Sequence, residues 1–278
     1  MSGASKRDRL VRRLVPSLVP LSHKRAFTAP LDAADRVVSS PFSEFRELPP
    51  NRYRIRVGTG NRIVFNQAYF LVHSANVALR LFALGLARHD SDILDIGSGC
   101  GRLALALRNA DVFEGTYTGI DVDREMVEWC NDNLGDARFR FLHADIYNEL
   151  YNPGGSREPY EIPLADSSQQ LVTSNSLLTH LLDEDLDRYL EESHRVLEGG
   201  GHMAMSVFCI DDMRAGGGLE SRWTFEHRIG RAFVESLEEP EAAVAYERGD
   251  LEQRARALGF NEASVRAYEP QSLLVARK

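Results

Sequence analysis

The run Asp95-Ile96-Gly97-Ser98-Gly99-Cys100-Gly101 constrains this chain more than any other feature. Apolar residues from Ser91 to Ile96 predict a short strand, and Arg102 to about Asn109 reads as a helix. Between them stand three alternating glycines. Such a strand–glycine–helix turn lets a ligand approach the backbone closely and presents N–H groups at the helix start. It belongs to open sheets whose strands alternate with helices.

The rest of the chain agrees with that architecture. Tyr117–Ile120 is a predicted strand ending on Asp121, followed by a helix over Arg124–Leu134. Phe139–His143 is a third strand, running into Ala144-Asp145-Ile146. Leu171–Ser174 is the fourth, and the helix Asp183–Leu197 stops at Gly199-Gly200-Gly201 before a fifth strand, His202–Phe208. Residues 211–248 break the rhythm with Gly216-Gly217-Gly218 and mixed charges and aromatics. A helix over Leu251–Leu258 and two β-rich segments, Asn261–Tyr268 and Ser272–Ala276, complete the pattern. The expected division is an appendage over 1–60, either a lid or partly disordered, and an α/β domain over 61–278, with a substrate insertion at about 211–248. Within the appendage, Arg9–Val19 has helix-like apolar spacing between prolines, and Pro41, Pro49 and Pro50 suggest an extended, turn-rich stretch. Arg62–Arg88 turns helical.

Acids at the strand ends sharpen the ligand reading. Asp121, twenty residues past Gly101, is placed to accept hydrogen bonds from two ribose hydroxyls. A helix N-cap is the competing role, and Asp123 is equally able to fill it. A dinucleotide fingerprint wants its third glycine at the sixth position, which here is Arg102; the glycine falls one earlier. That shift opposes an oxidoreductase of the nicotinamide type, the second function class considered. A non-catalytic, cofactor-binding relative is the third, opposed by the intact acids at 95, 121 and 145.

The series Ile93–Arg102, Gly119-Ile120-Asp121, Ala144-Asp145-Ile146 and Arg195-Val196-Leu197-Glu198-Gly199-Gly200-Gly201 resembles the class I S-adenosylmethionine-dependent methyltransferases over roughly residues 62–210. The resemblance implies a Rossmann-like α/β fold. Its sheet has seven mostly parallel strands, the last antiparallel, with helices on both faces; Ser272–Ala276 suits the seventh. It implies S-adenosylmethionine as cofactor. Asp95 and the loop residues Gly97, Ser98, Gly99 and Gly101 would hold the methionine part. Asp121 with Val122 would take the ribose, Asp145 with Ile146 the adenine, and Asn175 would stand beside the transferable methyl. Ser174–Leu181, and also Tyr151–Gly155 and Pro49-Pro50 with Arg56-Val57-Gly58, are similar to stretches of bacterial small-molecule and sugar methyltransferases. One departure is Gln169-Gln170, where the family has an aromatic–acid pair.

Methyl transfer is a direct displacement that needs alignment and exclusion of water. A base is required only when the acceptor loses a proton, as an alcohol does. His180, after the fourth strand, and His227, among the aromatics of 223–228, are the two candidates. The fourth strand ends in Ser174-Asn175-Ser176 and Asp211-Asp212 follows the fifth, so the ligand set of the metal-assisted relatives is incomplete. Eight histidines and three cysteines show no zinc spacing, and no metal is expected. Cys100, between glycines, reads as packing rather than as a nucleophile.

Charge bounds the acceptor. The net charge of −8 opposes general nucleic-acid binding, which needs a basic surface. Seven basic side chains against Asp8 give residues 1–25 a local excess of +6, suited to an anionic surface, including peripheral membrane contact, or to a solvated tail. No apolar run reaches the roughly 18 residues of a membrane span. Sparse, unpaired cysteines fit a reducing compartment, and a cytoplasmic protein is expected. The function expected is methyl transfer to a small molecule, foremost to an oxygen of a sugar, lipid-linked or secondary metabolite, with nitrogen or carbon acceptors as alternatives.

Overall fold

The computed structural model describes residues 22–57, 66–148, 151–215, 223–268 and 271–278. The apolar spacing of Arg9–Val19, most of the basic head, Arg62–Phe65, Gly216–Gly218 and Pro270 lie outside the described residues. In chain order the elements begin with helices α1 (Arg25–Ser39), α2 (Ser43–Arg46), α3 (Asn51–Arg56) and α4 (Gln67–Ala83). Strand β1 (Ile93–Ile96), helix α5 (Arg102–Arg108), β2 (Tyr117–Asp121), α6 (Arg124–Leu134) and β3 (Phe139–His143) follow. Then come β4 (Gln169–Ser174), α7 (Asp183–Val196), β5 (Leu197–Cys209) and α8 (Ile210–Arg214). The chain ends with β6 (His227–Ile229), β7 (Ala232–Val234), β8 (Val244–Tyr246), α9 (Arg248–Ala257), β9 (Glu262–Arg266) and β10 (Ser272–Arg277).

The chain forms two compact units. The first comprises residues 1–78, 99–110 and 121–158. Its α6 buries Met126, Val127, Cys130 and Leu134, a stripe at helical spacing, and packs on β3. The helical part of the appendage extends over α1 and α3, while the stretch around Pro41, Pro49 and Pro50 holds turns and the short α2. Pro30 lies inside α1, where it removes one helical hydrogen bond. Tertiary contacts outweigh that loss. The carboxylates of Asp32 and Asp35 on α1 pair with Arg52 and Arg54 on α3, and Gln67 Nε2 donates to Asp35 at 2.8 Å.

The second unit comprises residues 79–98, 111–120 and 159–278. Here β1 lies between β2 and β4, parallel to both, and β4 is parallel to β5. Every residue of β1 is buried, which is why its sequence is an unbroken apolar run apart from Asp95. β10 is antiparallel to both β5 and β9, as expected for Ser272–Ala276. β5 starts earlier than predicted, at Leu197, because the N–H of Gly200 donates to the Lys278 carbonyl and Lys278 returns the bond to Gly201. The glycines are therefore paired backbone, not a stop. The stretch read as irregular in the sequence contains β6, β7 and β8, each three residues long. Strands so short show no periodicity to read. β8 runs parallel to the last two residues of β5, and β7 antiparallel to β8.

Helix α7 carries Asp183, Glu184 and Asp185 in its first turn and His194 and Arg195 in its last, both favourable to the helix dipole. Its start is tied to α9 by Arg254. That side chain is 4% exposed; it donates to Asp187 at 2.7 Å and Asp250 at 2.8 Å, and also pairs with Asp183. Among the described residues no helix is long and apolar enough to cross a membrane. Replacing Arg254 by Met leaves three carboxylates without their shared cation, and we expect a stability loss of about 2–4 kcal/mol. Urea unfolding followed by circular dichroism measures it; a midpoint unchanged from wild type would show the cluster to be energetically neutral.

Candidate functional site

In the first unit the second half of the glycine loop is built around Asp121. Gly99 N–H donates to its Oδ2 at 2.7 Å and Asp123 N–H to its Oδ1 at 2.9 Å. Both carboxylate oxygens are thereby fixed by backbone. Burial pushes the Asp121 carboxyl up to about 6, and the two N–H donors hold it from rising further. Asp123, not Asp121, caps α6, accepting from Met126 N–H at 3.2 Å, so the cap role left open by the sequence falls to the neighbour. Val122 turns its carbonyl to His143 Nε2 at 3.1 Å.

Glycine is required at two places here. A Cβ on Gly99 would lie 2.7 Å from Val57 Cγ1, and one on Gly101 would lie 2.6 Å from Leu134 Cδ1. Both residues also have positive φ, +55° and +79°. Cys100 is fully buried, and that burial pushes its thiol up to about 12, so it is packing and not a nucleophile.

Asp145 and Ile146 are held by a loop whose role the sequence left unstated. Asn152 Nδ2 donates to Asp145 Oδ1 at 3.1 Å and to the Ile146 carbonyl at 3.0 Å. Tyr147 N–H donates to Ser156 at 2.7 Å, closing the loop. Arg157 stacks over the Tyr147 ring, its guanidinium carbon 3.5 Å from the centroid.

In the second unit the N–H groups of Gly97 and Ser98 both donate to the Ile120 carbonyl, at 2.8 and 3.0 Å. This shared acceptor ends β1 beside β2. The buried Asp95 carboxylate accepts the hydroxyl of Tyr117 at 2.7 Å, a partner that no spacing rule in the sequence marked. Ser98 Oγ and Ser174 Oγ, after β1 and at the end of neighbouring β4, are buried with no hydrogen-bond partner among the described residues. Buried hydroxyls in that condition call for a polar ligand or water.

Asn175 follows directly and is half-buried. Ser176 has φ +72°, and its N–H donates to Ser206 Oγ at 2.6 Å. His180 is exposed in a short 3₁₀ turn, with Nδ1 2.8 Å from the Glu241 carbonyl. A carbonyl partner requires Nδ1 to donate, which leaves Nε2 as the free lone pair of the neutral ring. His227 is exposed at the opening of β6 and pairs with Val234 of β7. Among the described residues no group of three or more His, Cys, Asp or Glu is arranged to hold a metal.

Comparison with known proteins identifies a domain and a fold. A family model described as a methyltransferase domain matches residues 94–205. An arsenite methyltransferase of Aquipseudomonas alcaligenes is 28% identical over 201 residues, 71% of this chain and 53% of that protein. The 27-O-demethylrifamycin SV methyltransferase of Amycolatopsis mediterranei is 28% identical over 59% of this chain and 55% of that protein. The chain thus spans about half the length of these curated relatives. Among solved structures, an S-adenosylmethionine-dependent methyltransferase from Mesorhizobium loti matches with TM-score 0.51 and 17% identity, over 73% of this chain and all of that one. At that identity the likeness speaks to the fold. Residues 94–205 thus match a methyltransferase domain, and the course of the strands is that of the class I S-adenosylmethionine-dependent methyltransferase fold.

Proposed function

We propose that the chain transfers a methyl group from S-adenosylmethionine to a small-molecule acceptor, foremost to an oxygen of a sugar, lipid-linked or secondary metabolite. The observation that carries the cofactor reading is the Asp121 carboxylate, anchored by two backbone N–H groups beside a loop where two glycines leave no room for side chains. The proposed cofactor residues are Asp95, Gly97, Ser98, Gly99, Gly101, Asp121, Val122, Asp145, Ile146 and Asn175. When bound, the cofactor supplies a methyl group on a positively charged sulfur. Asp121 accepts the ribose hydroxyls, and the unpartnered hydroxyls of Ser98 and Ser174 supply polar contacts. The Asn152 clasp presets Asp145 and Ile146 for the adenine.

For an alcohol acceptor, Nε2 of His180 is the proposed base, since the Glu241 carbonyl fixes the tautomer that leaves it unprotonated. His227 is the alternative. The insertion at 211–248 is the proposed acceptor element. Its Trp223 and Phe225 group with Phe208 of β5, the ring centroids 5.4–6.4 Å apart. The names of the two relatives, one acting on arsenite and one on 27-O-demethylrifamycin SV, support a small molecule as acceptor. Residues 1–60 remain the proposed appendage to the domain at 61–278.

Incubation with methyl-labelled S-adenosylmethionine and a panel of sugars, glycolipids and phenolic metabolites tests the reaction. Label in an organic acceptor is expected; binding of NAD with no binding of S-adenosylhomocysteine would sink the reading. Substituting Asp121 by Ala should weaken S-adenosylhomocysteine binding more than tenfold in calorimetry, as lost hydrogen bonds to a charged group cost roughly 1.5–3 kcal/mol. Binding through ribose hydroxyls favours the ionised carboxylate, so the bound form titrates lower than the free form. Affinity should therefore be flat above neutrality and fall as pH drops through about 6, levelling only where the bound carboxyl also protonates. A pH-independent affinity across that range would show that Asp121 is not the ribose acceptor.

A further inference from the structure

The sequence marks Arg56 only as part of a stretch similar to other methyltransferases, yet it carries a buried charge. The Arg56 side chain, at the end of α3, is 0% exposed. Nη1 donates to Asp123 Oδ2 at 2.6 Å. Nη2 donates to Glu125 at 3.2 Å and to the Ser22 carbonyl at 3.0 Å, and Nε donates to Ser22 Oγ at 3.1 Å. A guanidinium taken wholly out of water is retained only with full hydrogen bonding and a close counter-charge. Asp123 is that counter-charge. It is 2% exposed, and it accepts from the α6 backbone with its other oxygen while its own N–H orients Asp121. The adjoining Val57 is the residue that a side chain at Gly99 would strike. All of these residues lie in the first unit.

We infer that Arg56 is a positioning residue for the cofactor: it fixes Asp123, Asp123 fixes the ribose-binding carboxylate of Asp121, and residues 22–57 thereby become part of the cofactor site. The inference rests on the cofactor reading given above. It assigns Arg56 no contact with the cofactor; its effect passes through Asp123.

Charge gives the relay a distinctive signature. The charged and titratable groups around Asp121 are Asp123 on the same turn, Cys100 on the glycine loop and His143 at the end of β3. Arg56, Glu125 and His23 stand beyond Asp123, and Arg54 and Arg102 near Cys100. The negative charge of Asp123 pushes the Asp121 carboxyl upward, in the same direction as burial. Arg56 neutralises that charge. Removing Arg56 should raise the pH at which cofactor affinity is lost; removing the Asp123 charge while Arg56 remains should lower it. A role confined to holding the fold together would not move the two in opposite directions.

The test is calorimetric titration of the full chain with S-adenosylhomocysteine across about pH 5–8. Wild type is compared with Arg56→Met, Arg56→Lys, Asp123→Asn and Glu125→Gln. Arg56→Met is expected to weaken binding near neutrality at least about fivefold and to move the pH midpoint up by about half a unit or more. Arg56→Lys, which keeps the charge but not the fork, should restore the midpoint with incomplete recovery of affinity. Asp123→Asn should move the midpoint down, and Glu125→Gln, altering the exposed partner, should leave it in place. If Arg56→Met does not fold, the opposed behaviour of Asp123→Asn against the fixed midpoints of Arg56→Lys and Glu125→Gln decides the matter. Midpoints identical to wild type in every folded variant would overturn the inference while leaving the cofactor reading intact. Failure of the wild type itself to bind S-adenosylhomocysteine would bring down both.

Discussion

Both oxygens of the Asp121 carboxylate accept main-chain N–H groups, one from the glycine loop and one from the turn that opens α6. Two separate stretches of chain are thereby referred to a single side chain. The glycines stay close because Gly99 must reach Asp121, and Gly99 is glycine because Val57 occupies the space where a side chain would stand. Asp123 starts α6, and α6 packs on β3, which leads to Asp145. A half-buried acid whose proton affinity has been raised is thus the hinge of the local geometry as well as the proposed ligand group. Such shifted groups collect at functional sites because burial and fixed donors are what binding demands.

Much of this was legible in the sequence, for reasons that differ by element. β1, α6 and β3 were readable almost to the residue because their periodicity and punctuation are local: an apolar run, an Asp cap, a buried stripe. The reversed direction of β10 followed from the family resemblance, not from its own residues. α1 was missed because Pro30 and the nearby prolines point away from a helix, while what holds it is pairing with arginines some twenty residues on. Local propensity loses to such contacts, and they leave no pattern. The short strands of 227–246 were missed for the opposite reason: each is too brief to have a pattern at all.

The candidate site divides along the same line. Residues at strand ends, such as Asp95, Asp121 and Asp145, announce themselves by position. Their supporting side chains do not. Tyr117 reaches Asp95 through sheet register, Asn152 reaches Asp145 by a returning loop, and Arg56 reaches Asp123 across a long interval of sequence. The only sequence sign of Asn152 and Arg56 was membership in stretches similar to other methyltransferases, without a mechanism attached. Geometry supplies the mechanism: these groups orient the acids by direct hydrogen bonds.

One consequence concerns the way β5 outruns its neighbours. Its last residues, Phe208 and Cys209, lie against Ala245 and Tyr246 of β8. The connection between 210 and 243 therefore joins two neighbouring parallel strands, and on the way it supplies β6 and β7, which extend the sheet beyond β8. Because its two ends are held by strand pairing, the parts of this connection outside β6 and β7 can change in length at small entropic cost without rethreading the sheet. Selection can thus rewrite part of the proposed acceptor element while the strands that carry the proposed cofactor residues stay as they are.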